Sequence, residues 1–386
     1  MRDSQLIDVN MAAHINRSLP SETAAERAGD RVIRTLQGAG HRAFRVGGSV
    51  RDRLMGRVPH EVDVATDATP RKVQSLFPRT YAVGVSFGVV VVRATPETDI
   101  EVATFREESG YADGRHPDSI RFSTPEKDAR RRDFTINALF YDPVAERIDD
   151  YCDGVSDLQR GIIRAIGDAG QRFSEDRLRL LRTVRFAAAT RFGIAPSTWE
   201  AVLEHASGLE SVSAERIREE LTRMLIGPAA DRALRLLHDA GLLAVCLPEI
   251  HAMKGTPQPP EFHPEGDVFE HTCLMLAHAR WPDEILAWSV LLHDVGKPPT
   301  CEFRDGRYRF PEHAGKSAHL ARTILTRLKA SRRTVDDVTA CVKNHMRFME
   351  VQRMRTAKVR RLLARPTFGV ELELHRLDCA GSHRKL

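Results

Sequence analysis

A glycine pair followed closely by two alternating carboxylates constrains this chain more than any other feature. Gly47-Gly48 precedes Arg51, and Glu61 and Asp63 follow shortly after. Residues i and i+2 of a β-strand point to the same face, which predicts Glu61 and Asp63 side by side on one strand. Two carboxylates on a rigid strand suit Mg²⁺, which keeps water and phosphate as its other ligands. Glycine backbone N–H groups and an arginine can bind phosphates. The pattern therefore predicts a metal-dependent site for nucleotidyl transfer.

The residues that follow the carboxylates support this interpretation. A glycine pair alone is usually an ordinary turn, and an acidic alternation alone is usually the solvated face of an edge strand. Here the two occur in order and are followed by Thr69-Pro70. We expect a helix there, with Thr69 as its N-cap and Pro70 at its first position.

These residues resemble the first motif of the class II tRNA nucleotidyltransferase and bacterial poly(A) polymerase family, whose head belongs to the polymerase-beta superfamily. That motif reads Gly-Gly-x-Val-Arg-Asp, then Asp-x-Asp, then Ala-Thr-x-Ala-Thr-Pro. The chain departs from it at Glu61, where the family usually has Asp. The extra methylene group displaces the ligand oxygens, and Mg²⁺ geometry is strict. We expect Glu61 and Asp63 to be the catalytic Mg²⁺ ligands, with activity either reduced or tolerant of the longer side chain.

A second motif lies in the residues from Arg132 to Ala138, which read Arg-Asp-Phe-Thr-Ile-Asn-Ala. It resembles the family motif in which an arginine and an aspartate hold the phosphate and ribose of the incoming nucleotide. Arg132 is a permanent cation and Asp133 accepts hydrogen bonds from hydroxyls, which suits those roles. Taken alone, a run of arginines more often forms a solvated basic face.

Residues 174–186 predict a helix with Ser174 as its N-cap. Asp176 and Arg179 would share a face of that helix, as an acceptor and a multiple donor. Such a pair can match the Watson–Crick edges of cytosine and adenine and reject guanine and uracil. A surface ion pair is the plain alternative. The resembled family carries Glu-Asp-x-x-Arg here, and the resemblance implies a protein template that selects CTP and ATP.

The resemblance also implies a nucleotide-binding set: Gly47, Gly48, Ser49, Arg51, Arg132, Asp133, Asn137, Asp176, Arg179, Arg182 and Arg185. Two further segments bear on which nucleotides are added. Residues 105–117 predict a loop, which is either an ordinary surface loop or similar to the flexible loop of CCA-adding enzymes. Residues 80–92 lack the Gly-Arg-Arg-Phe cluster of bacterial poly(A) polymerases.

A second site is predicted where His293-Asp294 follows an apolar run. This pair resembles the HD phosphohydrolase family. The resemblance implies a metal site built from His271, His293, Asp294, His313, His345 and Asp378. Imidazole and carboxylate ligands suit Mn, Ni, Fe, Zn or Mg²⁺, and a metal there would generate a hydroxide that attacks phosphate esters. The resemblance implies phosphatase or phosphodiesterase activity on RNA ends and small nucleotides. The alternative is a helical domain without metal, whose histidines are packed or exposed.

Composition limits the kinds of protein that this chain can be. With 386 residues and 42% hydrophobic residues, the chain can bury several cores. No apolar run is long enough to span a membrane, and the N-terminus has no signal-peptide pattern. Six cysteines without a C-x-x-C pattern predict reduced thiols and a cytoplasmic location. A net charge of +5 is compatible with RNA, and the dispersed arginines suit tRNA contact by shape and phosphate.

We expect an α+β protein with a polymerase-beta-like nucleotidyltransferase head containing a mixed sheet, an all-α body and an α-helical HD domain. The predicted boundaries are a lead-in over 1–25, the head over 26–160, a helical neck and body with the base-selecting motif over 161–265, and the HD domain over 266–386. Relatives often extend further, which suggests a truncated C-terminus.

The predicted reaction is template-independent addition of C, C and A to tRNA 3′ ends from CTP and ATP, with release of pyrophosphate. Several alternatives stay open at this point. The chain could add only CC or only A, or be a poly(A) polymerase. It could also be an HD phosphohydrolase with a weakened transferase head, or an RNA-binding protein without catalysis. The sequence leaves the oligomeric state open.

Overall fold

The computed structural model describes residues 5–8, 21–59, 61–81, 88–110, 119–261, 263–264, 266–280 and 282–382. The chain forms two compact units. The first comprises Met1–Asp176 with Phe192–Ala201, and the second comprises Arg177–Arg191 with Val202–Leu386.

The first unit is built on a mixed sheet. Its strands, with two smaller pairs, are β1 (Gln5–Asp8), β2 (Ala43–Val46), β3 (Asp63–Thr66), β4 (Thr80–Tyr81), β5 (Val89–Thr95), β6 (Thr98–Thr104), β7 (Arg106–Ser109), β8 (Ser119–Phe122), β9 (Leu139–Asp142), β10 (Arg147–Asp150), β11 (Ile162–Ile163) and β12 (Gly193–Ile194). The large sheet has the order β1-β10-β9-β2-β3-β6-β5-β4. Within it, β3 and β6 are parallel, whereas the other neighbouring strands are antiparallel. This confirms the mixed sheet that the sequence predicted.

The helices of this unit are α1 (Ala24–Gly38), α2 (Gly48–Leu54), α3 (Pro70–Leu76), α4 (Pro125–Arg130), α5 (Gly154–Arg160) and α6 (Ala169–Glu175). Helix α1 begins at a capping box, in which the Thr23 side chain accepts from the Glu26 N–H and the Glu26 side chain accepts from the Thr23 N–H. Its apolar residues recur at helical spacing, so one face packs on the sheet with Val64 and Val102. Helix α3 has Thr69 as N-cap and Pro70 at its start, as predicted.

A buried ion cluster fixes helix α1 against β2. The Arg45 guanidinium lies 3.0 Å from a Glu26 carboxylate oxygen and 2.5 Å from an Asp30 oxygen. All three residues are less than a tenth exposed. Because strand β2 leads directly into the glycine pair, this cluster holds the start of the predicted nucleotide site on a rigid element.

The structure corrects one prediction about loops. Residues 106–109 of the predicted 105–117 loop form strand β7, which pairs antiparallel with β8. Residues 111–118 lie outside the described part of the chain, as do residues 82–87 of the 80–92 segment. Four residues are too few for an alternating pattern to stand out from a charged loop in the sequence.

The second unit is helical, as predicted. Its helices are α7 (Arg179–Thr190), the end of α8 (Pro196–His205), α9 (Ala214–Leu225), α10 (Ala230–Asp239), α11 (Leu242–Cys246), α12 (Pro248–His251), α13 (Val268–His278), α14 (Glu284–Leu292), α15 (Lys297–Thr300), α16 (His313–Arg327), α17 (Arg332–Asn344), α18 (Thr356–Leu363) and α19 (Phe368–Ser382). A short hairpin of β13 (Glu302–Arg304) and β14 (Arg307–Arg309) interrupts them. A 3₁₀ helix over His345–Arg353 joins α17 to α18.

Helix α14 is the centre of this unit. It is apolar on nearly every side, and Trp288 is fully buried. The Trp288 indole N–H donates to the Thr222 hydroxyl at 3.0 Å, so the one polar atom of that ring is satisfied. Across the described residues we find no helix with the length and apolar character that a bilayer crossing requires.

Candidate active site and candidate metal centre

The glycine pair lies where β2 ends and α2 begins. Gly47 has a φ of +72°, which glycine adopts without strain. A Cβ atom at this position would lie 3.3 Å from the Arg132 guanidinium. The turn therefore brings the first and second sequence motifs together. The Ser49 hydroxyl donates to the Val46 carbonyl at 3.2 Å, so the structure places this predicted nucleotide-binding group within the turn itself.

A hydrogen-bond network also joins the first motif to the second. The Arg51 guanidinium donates to the Asn137 side-chain oxygen at 2.7 Å. The Asn137 amide donates in turn to Asp133 at 3.1 Å. Asn137 and Asp133 are buried, while Arg51 is only partly so. These buried groups therefore orient the Arg51 guanidinium. A fixed orientation suits an arginine that binds a phosphate at a defined position.

Arg132 is held by a residue that the sequence reasoning missed. Asp128 is buried in the first turn of α4 and lies 3.0 Å from the Arg132 guanidinium and 2.7 Å from that of Arg131. Burial alone would raise the pKa of Asp128, but Arg132 and Arg131 outweigh it and lower that pKa. Asp128 is thus a permanent anion that positions Arg132. Its position four residues before Arg132, which lies just after the end of α4, is the signal that could have revealed it.

The paired carboxylates lie at the start of β3, with one correction. Strand β3 begins at Asp63, so Glu61 lies in the link before the strand rather than on it. The predicted alternation still holds, because Val62 is buried whereas Glu61 and Asp63 have surface that solvent can reach. Protein atoms nevertheless surround the Asp63 carboxylate. A residue ahead of the strand has no ladder hydrogen bonds to fix it, which gives the longer Glu61 side chain room to adjust.

A third carboxylate joins this pair from the neighbouring strand. Glu101 of β6 is the register partner of Asp63 in the parallel pair β3–β6. Removal of water by the surrounding protein raises the pKa of Asp63 to about 6, and the negative charges of Glu101 and Glu61 add to this rise against Arg132. The sequence reasoning missed Glu101, although it stands between the buried Ile100 and Val102. Like charges held this close favour a bound divalent cation.

The predicted base-selecting helix is wrong in its details. Helix α6 begins after Asp168, which caps it by accepting from the Gln171 N–H at 2.7 Å, and Ser174 lies in its last turn. Asp176 is extended, with φ −144° and ψ 103°, and α7 begins only at Arg179. Asp176 and Arg179 therefore do not share a helix face, and they fall in different units.

The two further arginines of α7 lie against protein groups. The Arg185 guanidinium lies 2.5 Å from a Glu220 oxygen and 4.2 Å from the centre of the Phe186 ring. Burial lowers the pKa of Arg185, and the negative charge of Glu220 offsets part of that fall. Arg182 is more distant from Glu220, at 3.9 Å. Glu220 and Phe186 thus hold Arg185 in place, and nucleotide binding by Arg182 and Arg185 stays a prediction.

The six residues predicted for the HD site come together from five places in the second unit. His271 lies on α13, His293 and Asp294 follow α14, His313 opens α16, His345 follows α17, and Asp378 lies on α19. They form two groups in which the ligand atoms all lie within 4.8 Å of one another. One group is His271, His293 and Asp378, and the other is Asp294, His313 and His345.

Three of these histidines are oriented by backbone carbonyls. The Nδ1 atoms of His293, His313 and His345 lie 2.9, 3.0 and 2.7 Å from the carbonyl three residues earlier. A carbonyl only accepts, so Nδ1 carries the proton and Nε2 presents its lone pair. Those Nε2 atoms and Oδ1 of Asp294 are buried and have no hydrogen-bond partner among the described residues. Unpartnered buried ligand atoms of this kind fit a bound metal.

The electrostatics of the centre also suit a cation. Burial alone would raise the pKa of Asp294, but His293 and Lys297 lower it well below the ordinary value. Burial lowers the pKa of His345 to about 4, against the charge of Asp294. At neutral pH the carboxylate is therefore charged and the imidazole neutral, the protonation states in which both groups bind metals.

Lys297 and Gly296 complete the site, and the sequence reasoning assigned neither of them a role. Lys297 lies 2.7 Å from Asp294 and donates to Gln258 at 2.7 Å. A Cβ atom on Gly296 would lie 2.5 Å from the Ser317 backbone nitrogen, so glycine is what lets α16 approach. A cavity of about 320 Å³ opens beside these residues. Its wall includes four of the six predicted ligands and three apolar side chains: Asp294, His313, His345, Asp378, Phe310, Met346 and Met349.

Three segments of the chain match known protein families. Residues 43–164 match the poly(A) polymerase head domain. Residues 191–254 match a probable RNA- and SrmB-binding site of polymerase A, and residues 268–368 match the HD domain.

Curated relatives of this chain are named CCA-adding enzymes. The CCA-adding enzyme of Lactobacillus johnsonii is 43% identical over 212 residues, which cover 55% of this chain and 53% of that protein. The CCA-adding enzyme of Levilactobacillus brevis is 42% identical over 279 residues, covering 72% of this chain and 66% of that protein. The chain thus spans about half to two thirds of the length of these curated relatives.

A solved structure extends the similarity to nearly the whole chain. The Bacillus stearothermophilus CCA-adding enzyme in complex with CTP superposes with a TM-score of 0.73 at 30% identity. This superposition covers 93% of the present chain and 79% of that one. The chain therefore belongs to the class II tRNA nucleotidyltransferase and bacterial poly(A) polymerase family, with an HD domain after its head and helical body.

Proposed function

We propose that this protein adds C, C and A in turn to the 3′ end of tRNA, using CTP and ATP and releasing pyrophosphate. The observation that carries the proposal is the cluster of Glu61, Asp63 and Glu101, three carboxylates that meet at the start of β3 and at the paired position of β6. Burial, and then the charges of Glu101 and Glu61, raise the pKa of Asp63 to about 6. The names of its relatives, and the CTP complex of one of them, agree with this reaction.

Glu61 and Asp63 would hold Mg²⁺, with Glu101 beside them as a third anion. Bound there, the ion would polarise the α-phosphate and stabilise the charge that develops on it. Arg132, held by Asp128, and Arg51, held by Asn137, would bind the triphosphate. The 3′-hydroxyl oxygen of the tRNA would attack the α-phosphorus, lose its proton, and displace pyrophosphate.

Asp176 and Arg179 are our proposed selectors of the base. The carboxylate would accept from the exocyclic amino group that cytosine and adenine share, and the guanidinium would donate to the adjacent ring acceptor. Guanine and uracil present the reverse pattern and would leave both protein groups unpaired. The proposal rests on this complementarity and not on the helix face that the sequence predicted.

The HD centre favours a second function, hydrolysis of a phosphate ester. The carrying observation is that three imidazole Nε2 atoms and one carboxylate oxygen are buried and unpartnered among the described residues. A set rich in imidazole suits Mn, Ni, Fe or Zn better than Mg²⁺. A metal held by these residues would supply a hydroxide at neutral pH. Lys297 would then neutralise a phosphate oxygen of the substrate.

Incorporation of labelled CTP and ATP into tRNA transcripts tests the first proposal. The transcripts end before C74, after C74 or after C75, and each nucleotide is supplied alone and then together with Mg²⁺. Addition of C, C and A in order is the expected result. Products limited to C or to A would instead support the CC-only or A-only alternative, and a long A tail would support the poly(A) polymerase alternative.

A further inference from the structure

The segment from Arg347 to Arg365 has an unusual charge. It contains seven arginines or lysines and one acidic residue, Glu350. Its net charge is therefore +6, compared with +5 for the whole chain. All of the excess positive charge of the protein is concentrated in this short part of the second unit. We refer to residues 347–365 as the basic segment.

The basic segment surrounds a cavity of about 400 Å³. Its wall consists of four cations and two apolar side chains: Arg347, Met354, Lys358, Arg361, Leu362 and Arg365. Arg347, Lys358 and Arg361 are exposed at its edge. Arg365 is paired with Glu371 at 3.0 Å. Among the described residues, no carboxylate lies within ion-pair distance of the other three.

The scarcity of acidic partners among the described residues distinguishes the basic segment from an ordinary solvated helix face. The preceding helix α17 shows the ordinary arrangement, in which Arg332 and Arg333 each lie within 4.0 Å of an aspartate four residues later. Helix α18 carries Lys358, Arg360 and Arg361 with no acidic residue in the helix. Concentrating like charges without partners costs stability, so an anionic ligand is the simplest explanation.

The shape of the charge distribution favours a chain of phosphates over a single anion. Arginine forks and lysine ammonium groups are the common phosphate-binding side chains of proteins. The cations continue beyond the cavity at Arg353, Arg355 and Arg360, all of which are exposed. Helix α18 alone is about 12 Å long, which can accompany several successive phosphates of one strand.

We propose that the basic segment binds the sugar–phosphate backbone of RNA and gives the HD domain an RNA contact of its own. The choice of RNA as the polyanion rests on the proposed function. The segment lies outside residues 191–254, the part that matches the RNA-binding family.

The position of the basic segment suggests what this contact does. The 3₁₀ helix that carries Arg347 begins with His345 of the metal centre and contains Met346 and Met349 of its cavity wall. An RNA strand on the basic segment would therefore run close to the HD cavity. This makes a phosphorylated RNA end, held by its neighbouring phosphates, a better substrate than a free mononucleotide.

A pair of matched double variants of the full chain tests the proposal. Lys358→Gln/Arg361→Gln removes two cations of the basic segment, and Arg332→Gln/Arg333→Gln removes two from α17. The probe is a fluorescent oligouridylate of about 12 nucleotides, long enough to cover the segment, and anisotropy is measured over a range of salt concentrations. We expect the first variant to bind about tenfold more weakly, with a salt slope smaller by about 1.4, because each single-strand phosphate contact contributes about 0.7. The α17 variant should keep both values.

Three outcomes would overturn the proposal. The first is unchanged affinity in the basic-segment variant, and the second is an equal loss in both variants, which would reflect only total charge. The third is displacement of the oligouridylate by inorganic pyrophosphate at equal phosphate concentration, which would indicate a small-anion site. Melting temperature controls for folding, and CTP incorporation into tRNA is measured separately. A failure of RNA binding here is thus distinguishable from a failure of the transferase proposal.

Discussion

Asp63 is the residue whose chemistry most directly links the structure to catalysis. Its raised pKa means that a measurable fraction of the carboxylate is protonated in mildly acidic solution. A group with a raised pKa loses its negative charge as the pH falls through that value. Metal binding opposes the protonation of the carboxylate, because a cation favours the ionised form.

We therefore predict that CTP incorporation falls as the pH is lowered through about 6. Higher Mg²⁺ concentration should move the midpoint of this fall to lower pH. Rate profiles at two Mg²⁺ concentrations, from about two pH units below the midpoint to about two units above it, provide the measurement. A midpoint that does not respond to Mg²⁺ would show that the titrating group is not a metal ligand.

Glu101 provides a second prediction at the same scale. Glu101→Gln removes one of the negative charges that raise the pKa of Asp63, so the pH midpoint should shift downward while the maximal rate falls. The maximal rate should fall by about tenfold or more, as is typical for groups around a metal. The matched control is Asp99→Asn, an exposed acid on the same strand that is paired with Arg93. If both variants shift the midpoint equally, Glu101 is not part of the site.

Single residues also show where sequence reasoning stops. Asp63 and Asn137 could be found because their motifs are contiguous in the chain. Glu101 could not, because its role depends on the parallel register of β3 and β6, which no local pattern specifies. Lys297 was visible beside His293-Asp294, but only its 2.7 Å contacts with Asp294 and Gln258 distinguish it from a surface lysine.

At the scale of elements, the long periodic segments were predictable and the breaks were not. The apolar strands β5 and β6 and the helical second unit follow from hydrophobic patterns. The predicted helix around Ser174 was wrong because serine is as compatible with the last turn of α6 as with a cap. The break at Asp176 contains neither glycine nor proline, so nothing in its composition indicates it.

The close approach of α16 to Gly296 gives a prediction about these elements. Gly296→Ala places a methyl group 2.5 Å from the Ser317 backbone nitrogen, which forces α16 to shift. We expect a loss of about 2 kcal/mol in the free energy of unfolding, together with weaker metal binding at the HD centre. Denaturant unfolding and metal titration measure the two effects.

Gly315→Ala is the matched control on the same helix. A Cβ atom at Gly315 meets nothing within 4 Å, and alanine is the better helix former. This variant should be as stable as the wild type or gain up to about 1 kcal/mol. Equal destabilisation of both variants would contradict the view that α16 is positioned through Gly296.

The helices that converge on the HD centre give a further prediction. Addition of Mn²⁺ should raise the melting temperature of the wild-type protein, because a ligand that binds only the folded state stabilises it. His345→Ala should abolish most of that rise, since it removes a buried ligand atom. The control is His319→Ala, an exposed histidine on α16. A full rise in the His345→Ala protein would place the metal elsewhere.

For the whole molecule, the two proposed chemistries are separable. The transferase cluster of Glu61, Asp63 and Glu101 lies in the first unit, and all six HD residues lie in the second. His293→Ala should therefore remove phosphohydrolysis and leave CTP incorporation unchanged. The order of the domains follows from the order of the motifs in the sequence. That residues 177–191 belong to the second unit does not follow from the sequence, because it depends on long-range packing.

The central claim is that the carboxylate cluster of the head is a nucleotidyltransferase site. Its most direct test is incorporation of labelled CTP into a tRNA transcript that ends before C74, with Mg²⁺, by the wild-type, Asp63→Asn and Asp99→Asn proteins. We predict incorporation by the wild-type and Asp99→Asn proteins and a loss of at least about a hundredfold in Asp63→Asn, with folding unchanged. Comparable incorporation by Asp63→Asn, or release of phosphate without incorporation by the wild type, would contradict it.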